Sequence, residues 1–393
     1  MRLHIAMPAM DESGYLPSSM AALFSQSCSY PYHIYVCVNQ PERYWQKRPE
    51  LCLRNRESIA YLQSLHGPLS VIDRSSPGQG WSDKHSGVGW ARKTLFEHIC
   101  VQAERGDLIL SLDADTLVDS NYCQTVGDYF ANHPKTQALS LPYYHPLGDD
   151  DRLNRAILRY ETYMRLYYLN LQAIASPYAF TALGSAMAFR VEALQRIGGI
   201  KPLPSGEDFY LLQKICKTGC LGQNCACRVM PATRLSDRVD FGTGPALGKG
   251  CQGNWESYPF YRPELFAPIA EAYGLIPEIY QGKGLPDNAF LSFLEQQFKS
   301  QDLWQPLRDN LKDLPHFRRG FHEKADGLRI LQYLKYRQQQ EPYSEKACLQ
   351  ANLRLHLDMD FPYESIEQAP LAFLASLRDR LFEQERMARE IQG

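Results

Sequence analysis

Over its first 120 residues the chain alternates short, unbroken apolar runs with amphipathic stretches. "LHIAMPA" (residues 3–9), "YHIYVCVNQ" (32–40), "LSVIDR" (69–74) and "DLILSLDAD" (107–115) are apolar or β-branched over lengths that suit buried strands. Between the first two, "MDESGYLPSSMAALFSQS" passes from a polar loop into a helix with Leu16, Met20 and Leu23 on one side. Residues 50–66 read as helical. The Gly-rich "SSPGQGWSDKHSGVGW" reads as a loop, and "ARKTLFEHICVQA" after it as a helix. The predicted order is β-α-β-α-β-loop-α-β. That alternation implies a mainly parallel sheet covered by helices on both faces. Ligands of such sheets bind beyond the carboxyl ends of the strands. The polar residues expected at that edge are Pro8 to Glu12, Asn39, Asp73, Arg74, Asp113 and Asp115.

The middle of the chain reads differently. "LNRAILRYETYMRLYYLNLQAIA" predicts one long aromatic and basic helix. "AMAF" (186–189) predicts a strand, followed by a short helix that stops at Gly198–Gly199. In "PSGEDFYLLQKICKTG", Ser205, Glu207 and Asp208 precede Leu211, Leu212 and Ile215, which is a capping signature. "ATRLSDRVDFGTGPALGKG" (232–250) reads as a polar, Gly-rich loop over a site. Beyond residue 258 helical periods broken by prolines dominate. The expected division is therefore an α/β domain over 1–258 and a C-terminal helical region over 259–393, without internal repeats.

Composition narrows the classes. Hydrophobic residues make up 44% and charged residues 22%, as in a globular enzyme, and the formal net charge of −2 provides no positive field for nucleic acid. No apolar stretch approaches the length needed to span a bilayer, and the first residues lack a signal-peptide pattern, so a cytoplasmic location is expected. Contact with a membrane surface stays open. The 11 cysteines are an odd number and predict thiols rather than a disulfide framework. Cys216, Cys220, Cys225 and Cys227 leave open a zinc site, although their spacing is not that of paired knuckles.

The chemistry lies in the acids. One aspartate after a strand is commonly a turn former, and Asp119 reads as a turn or helix-cap residue. Asp113 and Asp115, two residues apart beyond an apolar run, repel one another unless a cation lies between them. Mg²⁺ or Mn²⁺ takes such oxygen ligands together with substrate phosphates. Glu207 and Asp208 have two readings: acids favoured at a helix N-terminus, or a general base at the mouth of the same cleft.

Together "MPAMDESGYL", "SLDADTLVD" and "GSAMAFRVEALQRIGGI…SGEDFYLLQKICKTG" resemble the family 2 glycosyltransferases with the GT-A fold, over roughly residues 3–220. The resemblance implies a nucleotide-diphospho-sugar donor and a divalent metal. Pro8, Ala9, Glu12 and Asp73 would hold the nucleoside. Asp113 would lie near ribose and metal, and Asp115 would bind the metal at the diphosphate. Asp208 would deprotonate the acceptor hydroxyl for inverting attack, with Glu207 orienting the site or the acceptor. Lys84 and Arg92 are either phosphate contacts or solvated charges. Arg234 and Arg238 either close over the diphosphate or belong to a structural loop. The Q-x-x-R-W motif of processive synthases is absent, "CQGNWESY" being only an echo of it, which favours single addition. The acceptor would be a glycan, a lipid-linked sugar or a small molecule. Tyr143, Tyr144 and the Tyr160–Tyr168 cluster either shape its cleft or pack. Two other readings compete. A sugar-phosphate nucleotidyltransferase would need a basic Gly-rich loop where this chain has acidic "MPAMDESGY". An inactive transferase-like scaffold would have no need of Asp113, Asp115 and Asp208 together.

Overall fold

The computed structural model describes residues 1–223, 226–236, 242–284 and 286–392. It divides into two compact units. Met1–Ile157, Ala182–Asn254 and Arg389–Gly393 form the first, Leu158–Thr181 and Trp255–Ala388 the second. The late division falls close to residue 258, but residues 158–181, expected in the first domain, group with the second.

In the first unit the strands are β1 (Leu3–Ala9), β2 (Tyr32–Asn39), β3 (Leu69–Arg74), β4 (Leu108–Ser111), β5 (Thr116–Val118), β6 (Thr136–Ser140), β7 (Met187–Arg190), β8 (Cys220–Gln223) and β9 (Val229–Pro231). Seven of them form one sheet in the order β3-β2-β1-β4-β7-β6-β8, and β5 pairs with β9 in a separate ribbon. β1 runs parallel to β2 and β4, β2 to β3, and β6 to β8. β7 is antiparallel to both its neighbours. The unbroken apolar runs follow from this arrangement, because successive residues point to opposite faces and every residue of β1 and β4 is buried. The expected α/β fold with a mainly parallel sheet is present, and the predicted span of β3 coincides with the observed one.

The helices of this part of the chain are α1 (Leu16–Phe24), α2 (Tyr44–Lys47), α3 (Pro49–Ser64), α4 (Val88–Gln102), α5 (Tyr122–Asn132), α6 (Asp151–Ala173), α7 (Val191–Arg196), α8 (Glu207–Thr218) and α9 (Thr243–Gly250). Two local expectations need correction. Ser205 does not cap α8: the residue before the helix is Gly206, at φ 75°, and no side chain caps the helix. In that left-handed position a side chain would be strained, so glycine takes the place that the capping signature gave to serine. The stretch 232–250 is not all loop either, since Thr243–Gly250 is α9.

In the second unit, Leu158–Ala173 of α6 is joined by α10 (Ala267–Gly274), α11 (Ile276–Tyr280), α12 (Ala289–Phe298), α13 (Gln305–Asn310), α14 (Leu314–Lys324), α15 (Gly327–Gln340), α16 (Glu345–Leu357) and Leu371–Ala388 of α17 (Leu371–Gln392). Asn288, Asp313, Asp326 and Ser344 cap α12, α14, α15 and α16 by accepting backbone N–H groups, which is why those helices begin there. The buried stretch of α6 includes charge. Arg165 lies between Glu161 (2.6 Å) and Glu385 (2.5 Å), all three fully or almost fully buried, with Phe382 against the guanidinium. Tyr160, Tyr163 and Tyr167 stack along α6 and meet Tyr258 and Tyr261 edge-on or tilted. Packing thus accounts for these tyrosines. No described helix is long and apolar enough to cross a membrane.

Candidate active site

The carboxyl edge of the first unit's sheet collects the acids. β1 ends at Ala9, and Pro8 and Ala9 are buried there; the Asn39 side-chain amide donates to the Ala9 carbonyl at 3.0 Å. The chain then turns through Asp11, at φ 63°, an uncommon conformation for any residue but glycine. Asn55 and Arg54 of α3 hold it there. Asn55 Oδ1 accepts the Asp11 N–H at 2.8 Å, and Arg54 grips the Asp11 carboxylate. The next residue, Glu12, is thereby delivered into the site, where it is 5% exposed. Neither Arg54 nor Asn55 was singled out from sequence. A signal existed for Asn55, a polar residue on the buried stripe of α3 with Leu51, Cys52, Ser58, Ile59 and Leu62.

β4 ends at Ser111, and Asp113 and Asp115 lie in the turn between β4 and β5, closed by the Thr116 N–H bonding to the Asp113 carbonyl at 3.1 Å. The Ser19 hydroxyl of α1 fixes this turn by donating to the Ala114 carbonyl at 2.8 Å. Because the chain bends here, the two carboxylates engage different cations. Asp115 accepts from Arg234 Nε at 2.7 Å, and the same guanidinium pairs with Glu12. Asp113 pairs with Arg92 Nη2 at 2.5 Å, and Arg92 Nη1 pairs with Glu207.

Arg92 is 3% exposed, so it is not the solvated charge that was one of its two readings. It lies on the buried face of α4 with Ala91, Leu95, Phe96 and Ile99. Burial disfavours its charge, but Asp113, Glu207 and Asp208 outweigh that and raise its pKa above the ordinary arginine value. Room for the guanidinium comes from Gly184, where a Cβ would stand 2.0 Å from Arg92 Nη2. Ser111 holds Gly184 in place by donating to its carbonyl at 2.7 Å. The two acidic motifs, far apart in sequence, thus meet through one arginine.

Asp208 follows Glu207 in the first turn of α8 and is half-buried. Burial raises its pKa to about 7, helped by the negative charges of Glu207 and Asp113 and opposed by Arg92 and by the Phe209 N–H at 2.7 Å. A carboxyl in that range exchanges protons near neutral pH, as a general base must.

The other candidates lie apart from this cluster. Asp73 Oδ1 accepts the backbone N–H groups of Ser75 (2.8 Å) and Ser76 (2.9 Å), forming a turn at the end of β3. Burial opposes its ionisation, but these bonds prevail and lower its pKa. Lys84 is exposed in the 3₁₀ turn Asp83–His85 and, among the described residues, makes no ion pair with the acids. Arg238 lies outside the described residues. Asp119 serves the turn before α5, its carbonyl accepting the Tyr122 N–H, while its side chain pairs with Arg228 at 3.3 Å. No disulfide joins the described cysteines. Among the described residues no group of three or more His, Cys, Asp or Glu is arranged to hold a metal ion; Cys225 lies outside them.

Among the described residues, Glu12 and Asp115 pair with Arg234, and Asp113 and Glu207 pair with Arg92.

Residues 108–242 match the family model described as glycosyl transferase family group 2. The matched segment holds Asp113, Asp115, Glu207, Asp208 and Arg234, and it agrees with the family expected from the motifs. No curated protein matches the chain. Among solved structures, similarity extends to S. aureus TarS 1–349 in complex with UDP-GlcNAc, at 13% identity over 99% of this chain and 91% of that one, with a TM-score of 0.40. It extends also to the mannosyltransferase PcManGT from Pyrobaculum calidifontis in complex with GDP-Man and Mn²⁺, at 14% identity over 99% and 86%, with a TM-score of 0.39.

Proposed function

We infer, from the match of residues 108–242 to the glycosyl transferase family group 2 model, a metal-dependent, inverting enzyme that adds one sugar from a nucleotide-diphosphate donor to an acceptor hydroxyl. One observation carries this reading. Arg92 ties Glu207, the neighbour of Asp208, to Asp113 at the end of β4, so a proton acceptor titrating near neutrality lies beside the acidic turn.

Asp208 is the base. It takes the proton from the acceptor hydroxyl as that oxygen attacks the anomeric carbon, and the glycosyl bond to the diphosphate breaks on the opposite face. Glu207 acts through Arg92 and holds Asp208 at the head of α8. Pro8 and Ala9 at the end of β1, and Glu12, delivered by the turn at Asp11, lie where the nucleoside enters, with Asp73 at the end of β3. Arg234 and Arg238 serve the diphosphate; Lys84 is a further candidate for it.

The residues fit a divalent cation. Two carboxylates from separate elements, Asp115 and Glu12, already converge on one positive group, and all the donors are oxygens. Asp115 would hold the metal, Asp113 lying one turn residue away, and diphosphate oxygens would complete the shell. When bound, the metal offsets the charge that develops on the leaving diphosphate. The acceptor is a sugar, lipid-linked or small-molecule hydroxyl.

The test is incubation with UDP-, GDP- and dTDP-sugars, with and without Mn²⁺, following thermal stability and release of nucleoside diphosphate. One donor should stabilise the protein in a metal-dependent way, and the effect should vanish in Asp115→Ala. NMR of the product should show one added sugar with inverted anomeric configuration. Full turnover in Asp208→Asn would overturn the assignment of the base.

A further inference from the structure

We propose that Arg234 is a resident counter-cation that keeps divalent metal off Asp115 until a nucleotide diphosphate draws its guanidinium away, so that metal and donor bind cooperatively. The inference rests on the reading of Asp115 as the metal ligand and extends it to the order of binding.

The argument begins with geometry. Arg234 Nε and Nη2 both reach the same Asp115 oxygen, Oδ2, at 2.7 and 2.6 Å, and Nη2 also pairs with Glu12 Oε1. The guanidinium lies over the Tyr15 ring, 4.6 Å from its centre. The side chains of Glu12, Asp115 and Arg234 are 6%, 15% and 20% exposed, so water screens these contacts less than it would at an open surface. Burial disfavours the charge on Arg234, but Asp115 and Glu12 more than compensate and raise its pKa.

A divalent ion bound by Asp115 needs the carboxylate that Arg234 occupies, and would be repelled by a guanidinium left in place. Metal alone must therefore displace the arginine into water. A diphosphate changes that balance, because it offers guanidinium a better bidentate partner and brings the negative charge that a metal requires. Backbone structure permits the move. β5 and β9 are paired through Thr116↔Pro231, and the Ala232 N–H continues the ladder to the Asp115 carbonyl at 3.1 Å. Arg234 lies just beyond that anchor, so its side chain can swing from carboxylate to phosphate while the ribbon stays intact. Because coupling is reciprocal, the nucleotide must tighten metal binding by the factor with which metal tightens nucleotide binding.

The experiment measures Mn²⁺ binding to the full chain from the electron paramagnetic resonance signal of free Mn²⁺, without any sugar. It compares wild type, Arg234→Gln and Asp115→Asn, each alone and with UDP or GDP, corrected for Mn²⁺ held by the nucleotide itself. Arg234→Gln should bind Mn²⁺ about tenfold more tightly than wild type without nucleotide, and should lose most of the gain that nucleotide gives wild type. Asp115→Asn should lose the site in either condition. If Arg234→Gln does not fold, Arg234→Lys is measured instead; a single ammonium cannot grip both carboxylates in the same way, and its affinity should fall between the two. Equal or weaker Mn²⁺ affinity in the arginine variant, with binding still lost in Asp115→Asn, overturns the inference and leaves the metal reading in place. Failure of every form to bind Mn²⁺, with or without nucleotide, overturns both.

Discussion

Replacing Asp208 by Asn should remove catalysis and stabilise the fold, with a pH dependence that can be worked out in advance. The carboxyl has a pKa near 3.8 in the unfolded chain and about 7 in the folded one. A difference of roughly 3 pH units corresponds to a ceiling of ~4 kcal/mol for forcing the charged form into the native site. Asp208 retains some access to solvent, so about half of that, ~2 kcal/mol, is expected. The sign follows from proton counting. Below about pH 4 the group is protonated in both states, and wild type and variant should unfold alike. From pH 4 to 7 the unfolded chain releases its proton first, so wild type loses stability relative to Asp208→Asn. Above pH 7 the full difference is present. At roughly 2–4 °C per kcal/mol, the variant should melt about 4–8 °C higher at pH 8 and almost level at pH 4. Calorimetry or circular dichroism across pH 4–8 measures this. In the same range wild-type kcat/KM should rise with an acid limb near 7, and Asp208→Asn should lose at least about 100-fold in turnover. A melting difference of the same size at pH 4 and pH 8, or a variant less stable than wild type at pH 8, would refute the assignment of a raised carboxyl at this position.

Two further outcomes test other parts of the structure. Gly184→Ala would bring a methyl within 2.0 Å of Arg92 Nη2 and push that guanidinium off Asp113 and Glu207; denaturant unfolding should show a loss of ~2–3 kcal/mol, and turnover should fall, as it should also in Arg92→Met. In the second unit, Arg165→Met removes the cation that Glu161 and Glu385 share and should cost ~3–5 kcal/mol in chemical denaturation, while replacing all three residues with apolar ones of similar size should recover most of it.

Much of the first unit was legible in the sequence, for a clear physical reason. Strands buried on both faces need unbroken apolar runs, and β1 and β4 carry them. The acidic motifs were visible too, because two carboxylates beyond such a run have few structural uses. Their partners were harder to read. Arg92 had two readings, since nothing local separates an arginine that meets solvent from one that meets Glu207, 115 positions later. Arg54 and Asn55 were overlooked because their role depends on a left-handed residue in a different loop. Ser205 misled because a serine before Glu-Asp normally caps, whereas here Gly206 supplies a backbone turn that serine would find strained. Contacts between distant elements, and backbone conformations that they enforce, leave little mark on local periodicity.

The ribbon of β5 and β9 also limits how the chain can change in length. Thr116, Leu117 and Val118 stand opposite Pro231, Met230 and Val229, with Asp115 just before one strand and Arg234 just after the other. Removing a single residue from 229–231 would move Arg234 about 3.3 Å along the strand and reverse the side to which its neighbours point. Insertions and deletions should therefore be excluded from these few positions, while the stretch from β5 to β9 can absorb them in the connections between its helices and strands. A three-residue pairing thus acts as a ruler for the site.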